Sequence, residues 1–369
     1  MTIQLPVVGM ALASLLVSAV VALITTPIVK SLAFRIGAVD IPRDGRRMHD
    51  HPIPRMGGLA IFFGFMLSVL IFLPLTRPLR GMLLGGVIIV VLGIFDDIYA
   101  LPAKPKLLVQ IIAALVAVLM GNRIVALSNF NIFSDDLFLE LGWLSYPITI
   151  LWIVGITNAV NLIDGLDGLA CGVSTISSMT LLVIALMVAE PDVAILTAAL
   201  AGACLGFLPY NINPAKIFMG DTGSTFLGFI LAVVSVQGLF KFYTIISFAA
   251  PFLMLGLPIF DTCFAILRRL AKGQSPMSPD RGHIHHRLID MGFSQKQAVA
   301  MLYVISAILG LSAVVLTTSG AVRAMVFLLS LCAAGALAAK FFLDHNREDR
   351  RPPTSDPDKK RRNNDAKDG

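Results

Sequence analysis

A chain of 369 residues with 56% apolar residues, 14% charged residues and a formal net charge of +6 has too little polar surface for two or three soluble domains and falls in the membrane class. Its mean hydropathy is +0.82. Apolar runs of roughly 18 to 25 residues, each long enough for a hydrocarbon core about 30 Å thick, recur as far as about residue 343, which leaves no room for a soluble domain between them.

The first run, from about Val8 to Phe34, lacks a basic leading segment and a small-residue cleavage site, so it reads as a retained span. Ten more are expected near 57–75, 80–98, 105–122, 143–160, 168–189, 192–209, 223–240, 245–267, 297–317 and 321–343. The expected fold class is an all-α integral membrane protein of about eleven transmembrane helices over residues 1–345. A basic tail, 346–369, has no apolar face to bury and is expected to be disordered. Cys171, Cys204, Cys263 and Cys332 lie in apolar runs without CxxC spacing, which argues for packing roles and against disulfides or zinc.

Eleven spans put the two termini on opposite sides. The odd-numbered loops and the tail then hold 23 of the 29 Lys and Arg residues. By the positive-inside rule they are expected to be cytoplasmic, with the N-terminus outside. Every loop dense in Asp, Asn, His or Gly falls on that same side.

The first such loop, GRRMHDHPIPRMGG, carries His49, His51, Arg55 and the pair Gly57-Gly58; it reads equally as a basic loop with a stiff hinge. In VLGIFDDIYALPAKPK, Asp96 and Asp97 stand at the end of an apolar span and need water, a cation or a partner. They read either as interfacial charge paired with Lys104 or Lys106, or as a magnesium or phosphate site. NAVNLIDGLDGLA spaces Asn158, Asn161, Asp164 and Asp167 every three residues, which predicts four polar side chains on one side of a helix end. In YNINPAKIFMGDTGSTFLG, Asp221 precedes an apolar helix, as an N-cap or an anion or metal site. SPDRGHIHHRL gathers Arg281, His283, His285, His286 and Arg287, a set suited to phosphate through charge-assisted hydrogen bonds. Asp261, in PIFDTCFAILRRL, is the deepest acid and is expected to pair with a basic neighbour or face the cavity.

Together, DDIYALPAKPK, NAVNLIDGLDGLA, NINPAKIFMGDTGS and DRGHIHHRL resemble the polyprenyl-phosphate N-acetylhexosamine-1-phosphate transferases of glycosyltransferase family 4, in the same order along nearly the whole chain. The resemblance implies a membrane enzyme with magnesium, or alternatively manganese, as cofactor. Its partners would be a UDP-N-acetylhexosamine donor and undecaprenyl phosphate within the membrane lipid. It implies no nucleic acid and leaves a homodimer open. The His-Ile-His-His-Arg order is similar to the enzymes that use UDP-GlcNAc to start teichoic acid, O-antigen or arabinogalactan synthesis. The phospho-N-acetylmuramoyl-pentapeptide transferase branch tends to carry three consecutive histidines, so UDP-MurNAc-pentapeptide is the alternative donor.

Carried onto this chain, the resemblance implies a metal on Asp221 with Asp96 and Asp97 beside it, and catalytic roles for Asp96, Asp97 and Asp164. Nucleotide or sugar would lie near Asn161, Asp164, Asp167, Asn211 and Phe218, with Phe218 stacked on the uracil. Arg281, His283, His285 and His286 would hold the diphosphate or sugar, and Lys104, Lys106 and Arg55 the lipid phosphate. Direct attack of the lipid phosphate, with Asp96 or Asp97 as base, is expected over a phospho-Asp intermediate. A transporter is the rival class, but it calls for acids near mid-membrane and a repeat between halves, and neither is evident.

Overall fold

The computed structural model describes residues 5–42, 51–128, 138–238, 245–275 and 282–319, and four isolated positions beyond them, 323, 325, 327 and 329. The chain divides into two units at Ala324, and the architecture below belongs to the first. The expected tail, 346–369, and most of the expected last span, 321–343, lie outside the described residues.

Twelve α-helices run through the described residues: α1 (Leu5–Ile36), α2 (Gly58–Phe72), α3 (Arg77–Tyr99), α4 (Ala103–Leu119), α5 (Ser145–Leu162), α6 (Leu169–Met187), α7 (Pro191–Asn211), α8 (Gly220–Gly238), α9 (Ile245–Met254), α10 (Gly256–Ala271), α11 (Ile284–Asp290) and α12 (Gln295–Ser319). Six are long and apolar enough to cross a membrane: α1, α3, α5 with the 3-10 turn before it, α6, α7 and α12. Two short antiparallel ribbons depart from the all-α expectation. β1 (Val39–Asp40) pairs with β2 (Ile53–Pro54), and β3 (Ala126–Ser128) pairs with β4 (Phe138–Glu140).

The expected ninth span is two helices, α9 and α10, interrupted at Leu255. Pro258 has no N–H to give the carbonyl of Met254 one turn back. The Ser177 hydroxyl of α6 supplies it instead, at 2.8 Å. Broken backbone at such depth is tolerated where another group satisfies it. α11 was not expected at all: it lies in the loop that the sequence reads as a His and Arg cluster suited to phosphate.

α8 is the central helix, buried on every side from Thr222 to Val236, as a helix apolar all round must be. It packs on α2, α3, α5 and α6, while α1 and α7 form a second layer with α2. Because lipid is as apolar as leucine, such contacts rely on close approach and polar glue. A Cβ on Gly202 or Gly206 of α7 would fall 2.1 Å from a backbone oxygen of α1, and Trp152 Nε1 of α5 donates to Ser235 Oγ of α8 at 3.0 Å.

A close contact that matters for the site is between α3 and α8. A Cβ on Gly93 would stand 2.3 Å from Thr222 Cα, whereas one on Gly86, two turns away, would meet Phe226 at 3.4 Å. Gly93→Ala should therefore push α8 away from α3 and cost about 1–3 kcal/mol of stability. Gly86→Ala should be neutral or slightly stabilising. Thermal melting of the two purified variants checks this; equal melting temperatures would mean that the helices do not meet at Gly93.

Candidate active site

The first N–H groups of a buried helix have no partner within that helix. At α8 they meet Asp97. Its Oδ1 accepts the N–H of Asp221 at 2.9 Å. Its Oδ2 accepts the N–H of Thr222 at 3.1 Å and the Thr222 hydroxyl at 2.6 Å. Gly220, at φ +70°, lets the turn lie against that carboxylate, since a Cβ there would fall 2.4 Å from Asp97 Oδ2. Asp97 thus caps α8 from α3, with a negative charge at the positive end of the helix dipole. Both of its oxygens are engaged, which differs from the expectation that it stands beside Asp221 as a metal ligand.

Asp96 is the acid that joins Asp221. Lys106 Nζ donates to Asp96 Oδ2 at 2.7 Å and to Asp221 Oδ2 at 2.9 Å, so one ammonium bridges carboxylates from α3 and α8. Asp96 Oδ1 accepts the N–H of Leu101 at 2.7 Å, closing the turn after α3. Asn161 Nδ2 reaches Asp221 Oδ1 at 3.2 Å and Ser224 Oγ at 2.8 Å. Lys104 is exposed at the start of α4 and takes no part in this cluster.

NAVNLIDGLDGLA does not present one polar face. α5 ends at Leu162, so the three-residue spacing crosses from helix into turn. Asn158 turns to Gln110 Oε1 on α4 at 2.7 Å. Asp167 Oδ2 accepts from Asn213 Nδ2 at 2.9 Å and from the N–H of Ala215 at 3.1 Å, bracing the loop before α8. Gly168, at φ +78°, starts α6; its N–H goes to Asn211 Oδ1 at 3.1 Å, and its carbonyl accepts from Tyr303 Oη at 2.6 Å. Asn211 is buried and also donates to the carbonyl of Ile217 at 3.1 Å. Asp167 and Asn211, expected near the nucleotide, brace the segments before α6 and α8.

Phe218 is half-buried, and its backbone is stitched to the first loop. Its N–H donates to the carbonyl of Pro54, and its carbonyl accepts from the N–H of Gly57, both at 2.9 Å. Arg55, between them, pairs with Asp40 at 3.2 Å. Thr222 and Ser224 lay within a motif already singled out. Asn213 lay in that motif too, whereas Asp40, Gln295, which accepts from Asn213 Nδ2 at 2.7 Å, and Tyr303 carried no signal in the sequence, because each acts by meeting a segment distant along the chain.

In the histidine segment, Arg281 lies outside the described residues. His283 and His285 are buried, and His286 is half-buried. The His285 ring lies on Gly165, where a Cβ would fall 2.2 Å from its Nε2. Burial first, then the His286 charge, lowers its pKa to about 4. His285 is therefore neutral near pH 7. Cys263, expected to pack, is exposed on α10.

No group of three His, Cys, Asp or Glu side chains converges among the described residues. Asp96 and Asp221 nevertheless fit a divalent cation, as hard carboxylate oxygens from two helices already sharing one positive group. Close by, burial and then the charges of Asp221, Asp97 and Asp167 push the Asp164 carboxyl up to about 8, against the pull of Arg55.

An unfolded aspartate ionises near 3.9. Between about pH 4 and pH 8 the unfolded chain therefore holds fewer protons at Asp164 than the folded one does, and stability falls as pH rises through that window and levels off above it. Asp164→Asn cannot ionise and should flatten the slope, so its melting temperature relative to the parent should be higher near pH 9 than near pH 5 in cation-free detergent. An offset independent of pH would mean that Asp164 ionises freely.

The model of glycosyl transferase family 4 matches residues 79–239, which hold the acids of α3, the α5–α6 turn and the start of α8. A Bacillus subtilis protein named "Probable undecaprenyl-phosphate N-acetylglucosaminyl 1-phosphate transferase" is 48% identical over 306 residues, covering 82% of this chain and 84% of its own. The "Decaprenyl-phosphate N-acetylglucosaminephosphotransferase" of Mycolicibacterium smegmatis is 37% identical over 325 residues, 78% of this chain and 77% of its own. The "Undecaprenyl-phosphate alpha-N-acetylglucosaminyl 1-phosphate transferase" of Escherichia coli K12 is 29% identical over 285 residues, 76% and 77% of the two chains. With this similarity along most of its length and its set of long apolar helices, the chain is a membrane protein that belongs to glycosyl transferase family 4.

Proposed function

We propose that this chain transfers N-acetylglucosamine 1-phosphate from UDP-GlcNAc to undecaprenyl phosphate and releases UMP, as a first membrane step of surface polysaccharide synthesis. The observation that carries the reading is the meeting of Asp96, Asp221, Lys106 and Asn161 at one end of the helix bundle, in a chain whose family relatives are named for this reaction. The distribution of Lys and Arg supports about eleven spans, with the N-terminus outside and the cleft and tail cytoplasmic. The partners required are the UDP-sugar and the lipid phosphate; a homodimer is not required.

Phosphoryl transfer needs little covalent help from a protein. Positioning and charge stabilisation carry most of it. Magnesium, when bound by Asp221 and Asp96, supplies neutralising charge to the donor diphosphate. Lys106 offers an ammonium to phosphate oxygens, at the position where it now holds the two carboxylates. Asp96 accepts the last proton of the lipid phosphate. That phosphate attacks the sugar-bound phosphorus, and the bond to UMP breaks. Asp97 is not assigned as the base, because all the donors on its two oxygens belong to the fixed start of α8, whereas Asp96 Oδ2 faces an ammonium that a bound cation can displace. Asn161 and Ser224 orient Asp221, and the braced segment around Phe218 offers its ring to the uracil.

The division between the adjacent acids is testable. Asp96→Asn should retain the parent's melting temperature within a few degrees and lose activity by orders of magnitude. Asp97→Asn should lose activity and also about 2–4 kcal/mol of stability, because an amide cannot accept from three donors as a carboxylate does. A stable, active Asp97→Asn protein would contradict its role at α8.

The reaction itself is tested by transfer of labelled GlcNAc 1-phosphate from UDP-GlcNAc to undecaprenyl phosphate by the purified chain, with and without magnesium. The expected outcome is a magnesium-dependent lipid product with equimolar UMP. Product with UDP-MurNAc-pentapeptide alone would overturn the donor assignment, and UMP release without lipid acceptor would overturn direct displacement.

A further inference from the structure

Asp261 is an acid that the reaction above leaves unused. On α10 it stands in a buried stripe with Leu257, Ala265 and Arg269, each four residues from the next. Phe260, Phe264 and Leu267 of the same helix are exposed. A carboxylate placed inward at this depth requires partners, and both come from the histidine segment. Its Oδ2 lies 2.8 Å from Nδ1 of His283, and its Oδ1 accepts the N–H of Ile284 at 2.9 Å. Asp261 is 7% exposed and His283 5%, so water competes little for either contact.

Holding a ring and the next backbone N–H with one carboxylate fixes both the imidazole and the start of α11. With Nδ1–H given to Asp261, Nε2 is the ring nitrogen left for a ligand. The orientation passes on along the segment. The His283 ring lies 5.8 Å from that of His285 and only 9° from parallel, and the His285 ring is 4.3 Å from that of His286. His285 in turn rests on Gly165, in the turn that carries Asp164 and Asp167. A second point of α10 holds the same segment, because a Cβ on Gly282 would fall 2.2 Å from Arg268 Cζ.

We propose that Asp261 is a positioning residue for donor recognition, acting through His283 to set the row of histidines against the acidic turn and touching no substrate itself. This rests on the transfer reaction proposed above. A positioning carboxylate behind a histidine is typically worth about 10- to 100-fold in the function of that histidine.

The test is kinetic, on the full-length purified chain with magnesium, varying UDP-GlcNAc and undecaprenyl phosphate in turn. Asp261→Asn should raise KM for UDP-GlcNAc about tenfold, leave KM for the lipid within about twofold, and be partly rescued in Asp261→Glu. Asp261→Ala should lower kcat/KM for the donor about as much as His283→Ala, and the double variant should be no worse than His283→Ala alone. If Asp261→Ala does not give monodisperse protein, Asp261→Asn with His283→Gln completes the same cycle.

A further loss on adding the Asp261 change to the His283 variant, or a rise in both KM values together with a fall in melting temperature, would overturn the proposal in favour of a general structural role. Unaltered donor kinetics in Asp261→Asn would overturn it as well, with an active parent enzyme leaving the reaction itself standing. An inactive parent would fail the reaction first.

Discussion

Three hydrogen bonds from the start of α8 to the carboxylate of Asp97 are the contact on which the remaining geometry hangs. α8 is buried on all sides, so its first N–H groups cannot turn to water, and leaving each unpaired would cost about 1–3 kcal/mol. A carboxylate from α3 satisfies them only because Gly93 and Gly220 allow backbone and side chain to approach without a Cβ between them. Once α8 is seated, Asp221 at its first turn is aimed at Lys106 and Asn161. The segment before it is then in place to bond with the first loop through Phe218 and Met219.

The acids divide into two groups by what their oxygens meet. Asp97 takes two backbone N–H groups and a hydroxyl, Asp167 a backbone N–H and an amide side chain, and Asp261 a histidine and one backbone N–H; these hold elements together. Asp96 and Asp221 share one ammonium, that of Lys106, whose place between them a cation can take and which can itself turn to a phosphate. Asp164 is half-buried among like charges, a position that favours its neutral form unless positive charge arrives. A cluster of this kind is poorly stable by itself and suited to a polyanionic ligand with its counter-ion, which is consistent with the chemistry named for the family relatives.

Membrane solvation explains why the polar machinery is confined to the helix ends and the turns between them. Within the bundle, polar side chains turn back on the backbone or on each other, as in Ser14 with Ser68 and Ser177 with Met254. The break at Leu255 lets α10 start afresh. Its inward stripe then ends near the histidine segment, so that one helix both bounds the bundle and reaches the site.

Sequence alone determined the placement of most helices, because an apolar run is recognised from local composition: ten of the eleven expected runs coincide with described helices, the ninth as a broken pair, and six of the described helices are long and apolar enough to cross a membrane. It also marked the loops that build the site, since charged and amide residues beside hydrocarbon are costly without a purpose. It did not separate the roles of Asp96 and Asp97, which share the same local context. Nor did it show that Asp167 and Asn211 brace loops, that His285 is neutral, or that Asp261 reaches His283. Those assignments depend on partners as far as 125 residues along the chain, as Asp97 is from Thr222. Tertiary structure alone decided them, because the direction in which a carboxylate turns is set by the donors that folding brings to it, and composition and spacing along the chain do not encode which donors those are.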